Sequence, residues 1–202
     1  MIIKNLSPGG FASNSYLVIK GGSAVLIDAT AMPREVAREL AEHSAVLEAI
    51  LLTHTHFDHI LSADALRRDL GAPLLCHADE ADFLTDGIKN ASSLFLQNAV
   101  TAHPADRHFE DGATLCFGEL TLRVLHTPGH TAGSVCLLCD NAAFTGDTLF
   151  ADCHGRTDLY SGSSVMLKRS LEGLFTLPEQ LRIYPGHGDS ALLSDALSTL
   201  GI

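Results

Sequence analysis

Hydrophobic positions along the chain fall into short runs of two kinds. "SYLVIK", "SAVLID", "EAILLT", "APLLCH", "LTLRVLH", "SVCLLC", "AAFTG" and "LRIYP" have the length and composition of strands and are bounded by Gly, Pro and Asn turn residues. Helical spacing appears between some of them. "PREVARELAEHS" opens on Pro33 and sets Val36, Ala37, Leu40 and Ala41 on one side. "FDHILSADALRRDLG" reads as one helix with Ile60, Leu61, Ala65 and Leu66 facing inward and Gly71 as its stop. "SSVMLKRSLEGLF" and "SALLSDALSTL" are two further helices. Strands and helices mix without strict alternation, which predicts an α/β or α+β fold with more than one sheet. Residues 86–111 carry the least pattern, and read equally as a loop over a site or an irregular connection.

Composition narrows the picture. A chain of 202 residues with 46% hydrophobic content can bury a substantial core, and one domain spanning 1–202 is expected. Asp and Glu total 24 against 13 Lys and Arg, for a formal charge of −11, which disfavours nucleic acid and anionic membranes as partners. "MIIKNLSPGG" leads into no apolar stretch of signal-peptide length, and no window of about 18 uninterrupted apolar residues occurs, so a cytoplasmic protein is expected. The five cysteines are odd in number and lie mostly in apolar runs, as reduced core thiols do. Cys136 and Cys139 have CxxC spacing, but in a strand positions three apart face opposite ways, which argues against a metal or redox pair.

The chemistry concentrates in "THTHFDH", where His54, His56, Asp58 and His59 crowd the end of an apolar run. His54 and His56, two apart in extended backbone, point the same way. Asp58 and His59 follow as the chain turns into a helix, and can aim at a neighbouring point. One segment can thus offer ligands to two adjacent metal ions. A catalytic zinc takes typically three protein ligands and keeps a position open for water, so two ions need more groups than this segment holds. His130 in "HTPGHT", Asp147 in "FTGDTLF" and His187 in "YPGHG" follow later apolar runs, each beside a glycine, and a carboxylate such as Asp147 can bridge two ions.

In order along the chain, "LIDAT", "THTHFDH", "TPGHT", "TGDT" and "PGHG" resemble the metallo-β-lactamase-fold hydrolases. That resemblance implies an αββα sandwich, two mixed β-sheets face to face with helices outside. It implies one ion on His54, His56 and His130, a second on Asp58, His59 and His187, and Asp147 between them. Asp28 and Thr53 would orient these ligands from behind. The motifs "THTHFDH", "TPGHT", "FTGDTLF", "GRTDL" and "YPGHG" look most like the glyoxalase II group, the hydroxyacylglutathione hydrolases. True β-lactamases of the fold commonly carry cysteine where Asp147 stands, and are exported. Classical glyoxalase II enzymes continue into a helical glutathione-binding domain, whereas 15 residues follow His187 here, as in single-domain bacterial relatives.

The implied reaction is hydrolysis of a small thioester of the S-lactoylglutathione type. Two zinc ions, with iron or manganese as alternatives, would share a hydroxide that attacks the carbonyl, and Asp58 would hold or shuttle its proton. His154, Arg156 and Tyr160 are the candidate substrate contacts, set against a structural Arg156–Asp158 ion pair and a gap-filling Tyr160. His77 and His126 read as core or supporting residues. The alternatives on the same fold are a mononuclear-iron persulfide dioxygenase, a lactonase or other ester hydrolase, and a non-catalytic binding module. The missing basic stretch counts against a nuclease.

Overall fold

The computed structural model describes residues 1–10 and 12–200 of the chain. Its strands are β1 (Ile2–Asn5), β2 (Tyr16–Lys20), β3 (Ser23–Ile27), β4 (Val46–Leu51), β5 (Leu74–His77) and β6 (Arg107–Phe109), which form one sheet in that order. The second sheet contains β7 (Thr114–Phe117), β8 (Leu120–His126), β9 (Val135–Cys139), β10 (Ala142–Gly146), β11 (Arg182–Pro185) and β12 (Ala191–Leu192), ordered from β12 back to β7. Both sheets are mixed. β3, β4 and β5 run parallel, as do β10 and β11, while β8 and β10 are both antiparallel to β9. The C-terminal ends of β8, β10 and β11 therefore meet at one edge.

Three hydrophobic layers hold the stack. Between the sheets, alternate residues such as Val25, Ile27 and Leu51 from the first meet Leu122, Val124, Leu137 and Phe144 from the second. The intervening residues face helices. Leu17, Leu26 and Ile50 pack with Val36 of α1 (Pro33–Glu42) and Leu66 of a later helix. On the other side Cys136, Ala143 and Ile183 pack against two C-terminal helices. Strands buried on both faces read as continuous apolar runs, which is why they stood out in the sequence. The result is the expected αββα sandwich, two six-stranded mixed sheets flanked by helices.

Four readings change. The single helix over 57–71 is two, α2 (Phe57–Ile60) and α3 (Ala63–Leu70). Ser62 breaks them apart, its N–H donating to Ala29 O and its hydroxyl to Thr30 O. The break resets the helical phase, so Ala63 and Leu66 are buried while Leu61 is exposed. In α1 the inward face is Val36 and Glu39, with Ala37 and Ala41 exposed. Residues 86–111 hold one short helix, α4 (Ser92–Phe95), and the rest crosses to β6. The last helices are α5 (Ser164–Leu174) and α6 (Leu193–Leu200), the latter preceded by β12 where a longer helix was expected. No helix among the described residues is long and apolar enough to cross a membrane.

Candidate metal centre

β4 ends at Leu51, and the next residues pass through the gap between the sheets, where Val135 N–H of the second sheet donates to Thr53 O at 2.9 Å. That bond commits the histidine segment to the edge where β8, β10 and β11 end. His130 follows β8, Asp147 directly follows β10, and His187 follows β11. All seven residues converge there. One ligand atom from each of His54, His56 and His130 forms a group within 4.8 Å, as do His54, His59 and Asp147, and again Asp58, His59 and His187.

Asp147 stands between these groups. Its Oδ1 lies 3.3 Å from His59 Nε2, and its Oδ2 lies 3.5 Å from His130 Nε2 and 3.7 Å from His187 Nε2. His187 Nε2 is also 3.2 Å from Asp58 Oδ2. In the other group His130 Nε2 sits 2.8 Å from His56 Nδ1 and 3.2 Å from His54 Nε2. Three buried atoms here, His56 Nε2, His59 Nε2 and Asp147 Oδ1, have no hydrogen-bond partner among the described residues. Buried polar atoms are normally satisfied, so inward-facing imidazoles and a carboxylate oxygen left orphaned together fit cations between them.

Groups behind the cluster fix which nitrogen faces in. His59 Nδ1 donates to Asp28 Oδ2 at 2.9 Å, and His130 Nδ1 donates to Arg156 O at 2.8 Å, leaving each Nε2 directed at the centre. Asp28 follows β3 with φ +59°, a conformation that Asp tolerates better than most residues. Its Oδ1 also accepts Thr53 N–H at 2.8 Å, and its Oδ2 accepts the Thr53 hydroxyl at 2.9 Å. Thr53 Oγ1 in turn lies 3.3 Å from His54 Nδ1. Asn14 was not legible in the sequence: its side-chain amide donates to Pro185 O and Gly188 O, bracketing His187.

Electrostatics sort the imidazoles. Burial and then the neighbouring histidines push His54 well below its usual range, and burial with His130 pushes His56 down to about 3. Both are neutral at physiological pH, the form that binds metal. Burial also opposes charge on His59, but Asp28 and Asp147 outweigh it and hold His59 well above its usual range. Asp147 is held low despite burial, chiefly by His59. Such mutual compensation by unlike charges is what a cation would otherwise supply.

A cavity of about 240 Å³ opens onto the cluster. His56, Asp58, His130, Asp147 and His187 line its floor, while His54 and His59 lie beneath. Phe57, Ala91, Phe95 and Leu159 form an apolar wall, with Phe57 and Phe95 stacked at 5.9 Å. Of the three candidate substrate contacts, only Arg156 lines this cavity, its guanidinium 5.7 Å from the Phe95 ring centre. Its Nε and Nη2 both donate to Asp158, at 2.6 and 2.8 Å, so the structural ion pair is present as well. Tyr160 instead packs on Phe83, and His154 is exposed with Nδ1 on Gly155 O. His77 and His126, with Asp79, form a separate cluster. Their rings stack at 4.3 Å and 12°, so their in-plane lone pairs run side by side and do not converge on one ion.

The chain is similar to known proteins over nearly its whole length. The chain is 35% identical over 188 residues to "Probable metallo-hydrolase YqgX" of Bacillus subtilis, covering 92% of this chain and 89% of that protein. Among solved structures it resembles BLEG-1, called a B3 metallo-beta-lactamase, at TM-score 0.91 and 33% identity, covering 98% of this chain and 97% of that one. It also resembles TTHA1623 in a di-iron-bound form, at TM-score 0.84 and 32% identity, covering 97% and 98%. The sequence profile of the "Metallo-beta-lactamase superfamily" matches residues 8–187, from just before the first glycine turn to His187, and the chain belongs to that superfamily.

Proposed function

We propose that this protein is a two-metal hydrolase of small thioesters. His54, His56 and His130 would hold one ion, and Asp58, His59 and His187 the other, with Asp147 bridging. The observation that carries this reading is the split of the Asp147 carboxylate, one oxygen toward His59 and the other toward His130 and His187. Zinc suits the neutral imidazoles, and the di-iron form of TTHA1623 makes iron the alternative. Such ions, when bound, supply an activated water at neutral pH and an electrophile for a carbonyl oxygen.

The chain's own groups do the rest. Asp58, half-buried on the cavity floor, is placed to accept the proton that an attacking water gives up. The wall of Phe57, Ala91, Phe95 and Leu159 excludes water from one side and offers an apolar surface to the acyl or thiol group. At about 240 Å³ the cavity lies below the usual range of roughly 300–1,000 Å³ for ligand sites, which favours a small substrate.

Thiol release is the test. Zinc-loaded and iron-loaded protein are each given S-D-lactoylglutathione and a short N-acetylcysteamine thioester, with a chelator control. Metal-dependent release of either thiol supports the reading, and folded protein carrying two metals that releases neither sinks it. Asp147→Asn, nearly isosteric but neutral, should reduce bound metal from two ions to one per chain and lower turnover by about a hundredfold or more. Two metals with full turnover would remove the bridging role. A second reading, β-lactam hydrolysis, is favoured by the likeness to BLEG-1 across nearly the full length of both chains. A chromogenic cephalosporin in the same assay separates the two.

A further inference from the structure

A buried carboxylate outside the ligand set ties together the two loops that carry His54, His56 and His130. Glu80 ends a 3₁₀ turn (Ala78–Glu80) that follows β5 and is fully buried. Its Oε2 accepts the Thr55 N–H at 3.0 Å and, in a short bond, the Thr55 hydroxyl. Its Oε1 accepts the Gly133 N–H at 3.0 Å. Thr55 is the residue between His54 and His56, and Gly133 closes the turn begun by His130. One carboxylate oxygen therefore serves each loop.

We propose that Glu80 is the positioning residue of the three-histidine group, setting the separation of the His54–His56 segment from the His130 turn. The inference rests on the ligand assignment made above. All three donors belong to the loops, and a carboxylate, which only accepts, is the side chain that can receive them together. Apart from the imidazoles of the two loops themselves, no other side chain has a bond to both loops among the described residues. The approach is close enough to require glycine on the far side. A Cβ at Gly133 would fall 2.5 Å from Glu80 Cγ and 3.1 Å from His77 Nδ1. β5 supplies the footing, since Leu52 N–H donates to Leu75 O and keeps the Glu80 turn in step with the histidine segment. Supporting groups of this kind commonly change metal affinity by about 10–100-fold when altered.

Glu80→Gln keeps the shape but turns one acceptor into a donor that faces N–H or O–H groups. The readouts are zinc affinity by competition with a chromophoric chelator, the visible spectrum of the cobalt-substituted protein, and melting of the metal-free form. Glu80→Gln is expected to weaken the tighter of two zinc-binding steps, or either if they are equal, by about 10–100-fold and to alter the cobalt spectrum. Thr55→Val, which removes only the hydroxyl donor, should move both in the same direction by less. Combined with Glu80→Gln it should add little, because the two act through one contact. Zinc affinity and cobalt spectrum unchanged in Glu80→Gln, with only metal-free melting lowered, would overturn the proposal and leave Glu80 a plain core bond. Should Glu80→Gln fail to fold, Thr55→Val decides by the same readouts. If the unaltered protein binds no zinc, the ligand assignment itself has failed, an outcome distinct from either.

Discussion

Asp28 takes three donors on one carboxylate, the Thr53 N–H, the Thr53 hydroxyl and His59 Nδ1, and none of them is a ligand atom. Its exchange for Asn swaps one oxygen for a donor that opposes another donor, so the His59 ring loses its fixed orientation. Asp28→Asn should lower affinity for the second ion by about 10–100-fold with the fold retained, as measured by metal titration and far-UV circular dichroism. Gly186 makes a steric counterpart. A Cβ there would lie 2.2 Å from Asp147 Oδ1 and 2.7 Å from His59 Cε1, so Gly186→Ala must displace the Asp147 carboxylate. Metal analysis should find the variant weaker for at least one ion by about tenfold or more, and equal affinity would show that the loop yields freely. These residues also mark what a sequence reveals. The seven clustered residues were legible because imidazole and carboxylate crowded beside strand ends is rare chemistry. Glu80 and Asn14 were not, because each works through backbone N–H and C=O groups brought near only by folding.

At the level of elements, the strands that sequence pattern missed are β1, β6, β7 and β12, and all four are sheet edges. Edge strands are short and half exposed, and their polar residues dilute the apolar run by which interior strands are recognised. β6 is "RHF" and β12 only two residues long. Interior strands were legible, and so was the face each residue takes. Cys136 lies in the helix-facing layer and Cys139 in the layer between sheets, so the CxxC spacing brings no pair together. Burial pushes the Cys136 thiol up to about 11 and Cys76 to about 12, and Cys139 also moves up. Raised values keep these thiols protonated at pH 8, and the thiolate is the reactive form. Cys153 also moves up, through partial burial and Asp152, so exposure decides: under native conditions iodoacetamide should label Cys116 and Cys153, both exposed, and spare the other three, which are buried. Mass spectrometry of labelled peptides checks this, and fast labelling of Cys136 would contradict the layer assignment.

For the whole molecule, the placement of the seven candidate ligands on two sheets would make the proposed metal centre a cross-link. His54, His56, Asp58 and His59 extend the first sheet, while His130, Asp147 and His187 extend the second. Apart from the inter-sheet core, the sheets are joined at this edge by few backbone bonds, among them Val135 to Thr53 and Asn14 to Gly186. Ions bound only by the folded arrangement stabilise it by mass action, by about 4 kcal/mol when one is present at a thousand times its dissociation constant. For a chain of this size each kcal/mol moves the melting temperature by about 2–4 °C, so one such ion should raise it by about 8–16 °C. Asp147→Asn should keep the rise due to one ion and lose that due to the second, because it leaves the three-histidine group intact but removes the carboxylate shared between the two groups. Calorimetry with and without chelator measures both. A melting temperature indifferent to metal would mean that the two sheets are held without a shared ion, and the centre would lose its structural half while the assay for thiol release still judged its chemical half.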